Sequence, residues 1–468
     1  MKINVLKTLI AVAFCLIASA SISKATIILP SLVSNNMVLQ QQNQVKVWGW
    51  AGPGEKIYIT PSWNNKTDSV IADGYSSWEI KLLTPKAGGP YIITLKGTNT
   101  IVLNNILIGE VWICSGQSNM EACYSCLGIK ELKNEFPNCF NSNIRFCKIA
   151  KIASSTPQDN CFAKWVICDS NTVKDITAVG YYFAKKLNSQ LNVPIGIIQS
   201  AWGGTPIETW LPEQIITGDS VFLKDALKKK KAREWPVEPG FTYNSMIAPI
   251  LKYSIAGVIW YQGESNAITP YSYLRMFSAM IDNWRKLWNT EFPFYYVQIA
   301  PFKNYGSPDI PAIIREAQMQ TLGMKKNVGM VVVSDLVDNV ADIHPKNKHD
   351  VGYRLADLAL TKTYKLSGFE YEYPIYQSYK TVKNKITVYF DNKIKMQGKK
   401  ADELFIAGDD KIYFPADCKI SDNSITVWND KVKNPVSVRY SFSKGGIGNL
   451  FGINNLPVSP FRTDTWDN

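Results

Sequence analysis

Leu107-Ile108-Gly109-Glu110-Val111-Trp112-Ile113-Cys114-Ser115-Gly116-Gln117-Ser118-Asn119-Met120 changes character at its middle. Residues 107–114 are apolar with almost no alternation, the pattern of a strand covered on both faces. The next six residues are small or polar, the composition of a tight turn. Similar apolar runs recur at 195–199, 255–261, 294–299 and 328–333. Between the third and fourth run, Leu274, Phe277, Ile281, Trp284 and Trp288 are spaced by three, four, three and four residues, with Pro270 just ahead. That spacing predicts an amphipathic helix with proline at its start. Strands alternating with helices predict a mostly parallel α/β sheet with helices on both faces, here over residues 106–368. Residues 121–170 fit the alternation poorly and read as an irregular, cysteine-rich insertion.

Either side, the pattern shortens. Val45–Trp48, Lys56–Ile59, Trp78–Lys81 and Tyr91–Leu95 partly alternate and are separated by Gly52-Pro53-Gly54 and Gly88-Gly89-Pro90, which predicts a β-sandwich-type region over 26–105. Ile386–Tyr389, Ile425–Trp428 and Val436–Tyr440 predict a second β-region over 372–468. Residues 1–25 read as a cleaved secretory signal. Lys2 and Lys7 precede a short apolar run, and Ala18-Ser19-Ala20 and Ser23-Lys24-Ala25 are small-x-small cleavage sites. The expected location is therefore periplasmic or extracellular. No later run is long enough to span a bilayer.

Composition narrows the chemistry. With 46% hydrophobic and 19% charged residues, the 468-residue chain is neither disordered nor fibrous. Two histidines exclude a histidine-rich metal centre. Loss of Lys2, Lys7 and Lys24 lowers the formal net charge from +12 to +9, an excess that suits acidic sugars, nucleic acid or membranes. The run Lys228–Lys231 with Arg233 lacks interleaved aromatics and reads as a solvated loop or helix end, so no nucleic-acid partner is expected. Nothing in the chain sets an oligomeric state. Cys123, Cys126, Cys139, Cys147, Cys161 and Cys168 crowd one segment, and in an exported protein they are candidates for disulfides or buried thiols. Cys123-x-x-Cys126 also has the spacing of half a zinc site, without a second such pair.

In open α/β sheets, ligands bind beyond the carboxyl ends of the strands. Four such loops carry chemistry. Ser115-Gly116-Gln117-Ser118-Asn119-Met120 presents a hydroxyl beside free backbone N–H groups, the parts of a nucleophile and an oxyanion hole. The G-x-S-x-G elbow is not met, because position 120 is methionine. Ser200-Ala201-Trp202-Gly203-Gly204-Thr205-Pro206 offers paired glycines for close backbone approach. Gln262-Gly263-Glu264-Ser265-Asn266 supplies amides and a carboxylate. The fourth loop, from Asp335 to Pro345, holds His344, with Asp335, Asp338 and Asp342 nearby and His349 just after it. A nucleophile, a base and acids on one sheet edge are what acyl transfer needs.

Together these blocks resemble the SGNH (GDSL-like) hydrolases, and within them the sialate O-acetylesterase family of carbohydrate esterases. The resemblance rests on Ser-Gly-Gln-Ser-Asn-Met (115–120), Ser-Ala-Trp-Gly-Gly-Thr-Pro-Ile-Glu-Thr-Trp (200–210), Trp-Tyr-Gln-Gly-Glu-Ser-Asn (260–266) and Asp-Ile-His-Pro-Lys-Asn-Lys (342–348), in that order. Met37–Gln40 and Val47–Trp50 near one end and Pro460–Asp464 near the other extend it over nearly the whole mature chain. It implies a flavodoxin-like sheet and a serine esterase needing no metal and no cofactor. Ser118 would be the nucleophile and His344 the general base. The oxyanion donors would be the Ser118 N–H, the Gly204 (or Gly203) N–H and the Gln262 side chain, because a carboxylate such as Glu264 repels an oxyanion unless protonated. Asp342 would orient His344, with Asp338, Asp335 or a backbone carbonyl as alternatives. SGNH enzymes usually place that acid three residues before the histidine, and position 341 is alanine. Gln117, Asn119, Glu264, Arg315 and Gln318 would contact substrate. The implied substrates are O-acetylated, most simply 9-O-acetyl, sialic acids. Acetylated xylan or pectin is the alternative within the same chemistry, and a non-catalytic carbohydrate-binding protein, suggested by 14 tryptophans and two β-regions, is the alternative outside it.

Overall fold

The computed structural model describes residues 26–306 and 309–466; the expected signal segment lies outside them. The apolar run that opens the sequence reading forms the last part of one long strand, Thr100–Gly116. Its first half pairs antiparallel with Gly88–Lys96, which also pairs with Lys56–Pro61. Its second half lies at the centre of a different layer, between Ile195–Ala201 and Gly257–Tyr261 and parallel to both. The expected boundary at 105/106 thus falls inside a single strand, and the N-terminal β-region shares one continuous core with the α/β layer.

The central layer runs Val328–Val331, Phe294–Val297, Gly257–Tyr261, Thr100–Gly116, Ile195–Ala201, Asn141–Lys148, all parallel, and ends on antiparallel Trp165–Cys168. From the long strand the chain first builds outward on one side, then crosses to the other. The helix Ala178–Leu191 packs with Lys348–Lys362, and Tyr273–Trp288 packs with Ile310–Met324. The helix expected after Pro270 begins at Tyr273, following a short 3₁₀ turn, and ends at Trp288. Its buried stripe is Tyr273, Met276, Phe277, Met280, Ile281 and Trp284, with Leu274 and Trp288 at the margins.

One expectation needs correction. Residues 121–170 are not merely an irregular insertion, since Asn141–Lys148 and Trp165–Cys168 extend the central sheet. Arg145 and Lys148 hide the first of these strands in the sequence; the Arg145 guanidinium is buried and donates to Asn105 Oδ1 at 3.2 Å. Cys123 and Cys126 are joined by a disulfide, so their thiolates are not available to a metal, whereas the other described cysteines are free.

The C-terminal β-region has a core of its own, with two four-stranded antiparallel sheets and one two-stranded sheet. Ion pairs tie it to the helix Ile310–Met324. Arg462 grips Glu316 through two bonds of 2.9 and 2.8 Å, and Arg439 bridges Asp309 and Asp464. Burial alone would raise the Asp464 carboxyl, but bonds from Arg439, Ser437 and Tyr413 hold it at about 2. A carboxylate held below its unfolded value adds stability above that value and loses it as pH falls through the folded one. Asp464→Asn is therefore expected to lower stability by about 1–2 kcal/mol at neutral pH. In urea unfolding followed by tryptophan fluorescence, its gap to wild type should narrow between about pH 4 and pH 2.

Candidate active site

The strand Thr100–Gly116 ends where the chain reverses its direction of sheet building, the switch point at which α/β sheets open a crevice. Gly116 has φ +133°, and a Cβ there would collide with the Tyr261 carbonyl oxygen of the adjacent strand. The Gly116 carbonyl accepts from Trp202 N–H at 3.0 Å, and the Gln117 N–H donates to the Tyr261 carbonyl at 3.0 Å. Three strand ends are thus stitched together at one glycine. A single helical turn, Ser118–Glu121, follows directly, and Ser118 sits at its first position, where a backbone N–H has no intrahelical acceptor.

His344 reaches this turn from the loop after Val328–Val331. Its Nε2 lies 2.9 Å from Ser118 Oγ, a hydrogen bond between residues 226 positions apart. Burial, then Lys348, pushes the imidazole below its ordinary value of 6.5 against the opposing pull of Asp342. Asp342 Oδ1 accepts the His344 backbone N–H at 2.9 Å and stands 3.9 Å from Nδ1, beyond hydrogen-bond range. Its other oxygen pairs with Lys346 at 2.8 Å. Asp335 is held by both Arg354 nitrogens, at 2.7 and 2.6 Å, and Asp338 has no bond to His344.

Ser118 and His344 open onto a cleft of about 490 Å³ walled by Trp202, Trp235, Leu127 and Ile343. Gly204, at φ +82°, lies flat against the Trp235 ring, where a side chain would not fit. Among the described residues no group accepts its N–H. The neighbouring Gly203 N–H is taken by Glu121 Oε2 at 2.6 Å, and Glu121 also pairs with Lys151 at 2.6 Å. A serine bonded to a histidine, with unpaired N–H groups beside it in a cleft walled by tryptophan, can run acyl transfer.

Residues 108–361 match the family model described as "Carbohydrate esterase, sialic acid-specific acetylesterase". The chain belongs to this family. Human sialate O-acetylesterase is 29% identical over 458 residues, covering 88% of this chain and 87% of that protein. The rat sialate O-acetylesterase is 27% identical over 438 residues, covering 79% and 80%. A crystal structure described as a novel carbohydrate acetylesterase from Xanthomonas citri superposes with a TM-score of 0.85 at 34% identity, over 94% of this chain and all of that one. The protein is thus a carbohydrate esterase of SGNH-like fold that hydrolyses O-acetyl esters on carbohydrates.

Several of the residues expected in the esterase site lie elsewhere. Gln262 is fully buried and spends its side-chain N–H groups on Asn266 Oδ1 at 2.8 Å and the Thr205 carbonyl at 3.4 Å, so it offers no oxyanion donor. Gln117 lies nearer the cleft: its Oε1 accepts the Gly263 and Ser265 N–H groups, at 3.3 and 3.4 Å, and among the described residues its NH₂ has no partner. Asn119 is buried beneath the cleft and does not line it. Its amide donates to Glu264 Oε1 at 2.6 Å and to the Ile343 carbonyl at 3.0 Å. Arg315 is not placed to meet a sugar; it is buried and donates to the Ser441 and Ser443 carbonyls, fastening the C-terminal β-region. Gln318 braces the sheet through Ile299 N–H at 2.9 Å and the Gln262 carbonyl at 3.0 Å. Glu264 does line the cleft, with its carboxyl raised by burial. In the basic run, the Lys229 side chain is buried rather than solvated, 3.3 Å from Glu208.

Sequence reasoning missed Glu121, Lys151 and Trp235. Glu121 adjoins the block that carries Ser118, but its role depends on a glycine 82 positions away. Trp235 follows the lysine run with no pattern to mark it. Because Glu121 anchors the Gly203-Gly204 loop, Glu121→Ala should lower kcat for acetate release about tenfold with KM little changed. Glu121→Gln, still an acceptor, should keep most of the activity.

Proposed function

We propose that Ser118 and His344 carry out a two-step esterase reaction on O-acetylated sugars. His344 Nε2 takes the Ser118 proton as Oγ attacks the acetyl carbonyl, and the resulting tetrahedral oxyanion faces the Ser118 and Gly204 N–H groups, with the Gln117 NH₂ as third donor. Collapse passes the proton from His344 to the leaving sugar oxygen and leaves acetyl-Ser118. A water deprotonated by His344 then attacks the acetyl carbon, and release of acetate returns the proton to Ser118. The 2.9 Å Ser118–His344 bond carries this reading. Asp342 acts on it through the His344 backbone N–H and its charge, in place of a direct bond to Nδ1.

For substrate, we propose O-acetylated sialic acids, supported by the description of the matching family and the names of its mammalian relatives. A second reading, an uncharged acetylated glycan, is favoured by the cleft itself. Among its described lining residues the only lysine or arginine is Lys151, already paired with Glu121. The N-terminal 25 residues support an exported enzyme meeting either substrate outside the cytoplasm.

Acetate release from acetylated sialic acid, acetylxylan and acetylated pectin separates these substrates. Ser118→Ala and His344→Ala are each expected to abolish release with the fold retained, and Asp342→Asn to cost less, on the order of tenfold. Release unchanged in Ser118→Ala would end this mechanism in favour of a binding protein. Because the His344 imidazole is held below 6.5, the acid limb of kcat/KM should fall below pH 6.5.

A further inference from the structure

Lys348 is the first residue of the helix Lys348–Lys362, four residues after His344, and is fully buried. Both facts count against a lysine. Burying an ammonium is costly because it loses its hydration, and the N-terminus of a helix disfavours positive charge. Burial draws its ammonium down to about 7, against the opposing pull of Glu264 and Glu131. What the group does there is specific. Its Nζ donates to Asn119 Oδ1 at 2.7 Å and lies 5.5 Å from the centre of the Tyr261 ring.

That one bond decides which way the Asn119 amide faces. With Oδ1 taken by Lys348, the NH₂ must point the other way, toward Glu264 Oε1 and the Ile343 carbonyl. Reversed, Asn119 would set its own oxygen against two acceptors and its NH₂ against an ammonium. Asn119 adjoins Ser118, and Ile343 adjoins His344. We propose that Lys348 is a positioning residue of the esterase: by fixing Asn119 it clamps the nucleophile turn to the His344 loop and sets the Ser118–His344 spacing. This rests on the reading of Ser118 and His344 as nucleophile and base.

The clamp also has an electrostatic side. The charged groups facing Lys348 are Glu264 from the 264–266 turn, Glu131 from the 130–134 turn, which accepts the Lys348 and His349 N–H groups at 2.6 and 2.9 Å, and Asp342, His344 and Lys346 from its own loop. Among them Lys348 acts on His344 as a like charge, favouring the neutral imidazole a base requires.

Lys348→Met removes both the tether and the charge, whereas Lys348→Gln keeps a donor for Asn119 without the charge. Acetate release over a range of pH, with circular dichroism to follow the fold, separates the two effects. Lys348→Met is expected to lower kcat at least about thirtyfold with KM within about threefold. Lys348→Gln should recover about tenfold of that loss. In both variants the acid limb should move up toward pH 6.5, the ordinary imidazole value. A kcat for Lys348→Met within about threefold of wild type, a Lys348→Gln as slow as Lys348→Met, or loss of the fold in both overturns the clamp. Wild-type release abolished by Ser118→Ala, alongside an unaffected Lys348→Met, would sink the clamp alone. Wild-type release that survives Ser118→Ala overturns the nucleophile assignment and the clamp with it.

Discussion

Everything in this site depends on how closely three strand ends approach at Gly116. The Tyr261 carbonyl lies where a Cβ would be, and the Trp202 N–H binds the Gly116 carbonyl. The backbone must take φ +133° there, a conformation open in practice to glycine. Its consequence is positional. The loops after Ile195–Ala201 and Gly257–Tyr261 are fixed to the turn that presents Ser118 before any side chain contributes. Gly204, Gln117 and Ser118 can therefore converge from two loops that share backbone hydrogen bonds at Gly116.

Beneath the cleft lies a buried polar layer whose charges nearly balance. Lys348, Asn119 and Glu264 form one chain under Ser118 and His344. Lys229 and Glu208 form another, with Asn266 bonded to Glu208 at 2.9 Å and to Gln262 at 2.8 Å. Such layers cost desolvation and return precise orientation, because each amide has one facing that satisfies its neighbours. They also explain why several polar residues of the family blocks do not touch the cleft. Asn119, Gln262 and Asn266 hold the loops that do.

This division marks the limit of what the sequence discloses. Buried parallel strands were legible because both faces are apolar, as in Val111–Cys114 and Val258–Tyr261. Asn141–Lys148 was not, since Arg145 finds its partner in Asn105, 40 positions away. The four loops were legible because chemistry-bearing residues follow strand ends. Which polar residue faces the cleft was not, because that depends on hydrogen bonds across loops. Gln262 and Gln117 are the same residue type at two such ends, and only their partners distinguish them. Arg315 looks like a sugar contact in the sequence for the same reason: its acceptors, the Ser441 and Ser443 carbonyls, lie more than 120 positions away in the C-terminal β-region. Lys229 was hidden in a run of lysines whose other members carry no such burial.

Asp342 shows what replaces a direct carboxylate–imidazole bond. An acid three residues before the histidine would sit at alanine, and from position 342 the carboxylate turns back onto the His344 N–H and out to Lys346. A ring whose Nδ1 is 3.9 Å from its acid gains little orientation from it. The backbone on both sides of that ring is nevertheless held, by Asp342 at the His344 N–H and by Asn119 at the Ile343 carbonyl. Orientation of the imidazole is therefore inherited from the loop, and the loop takes its position from Asn119. This transfers to a buried amide part of the work that a triad assigns to a carboxylate, and it accounts for an ammonium being retained behind that amide despite its cost.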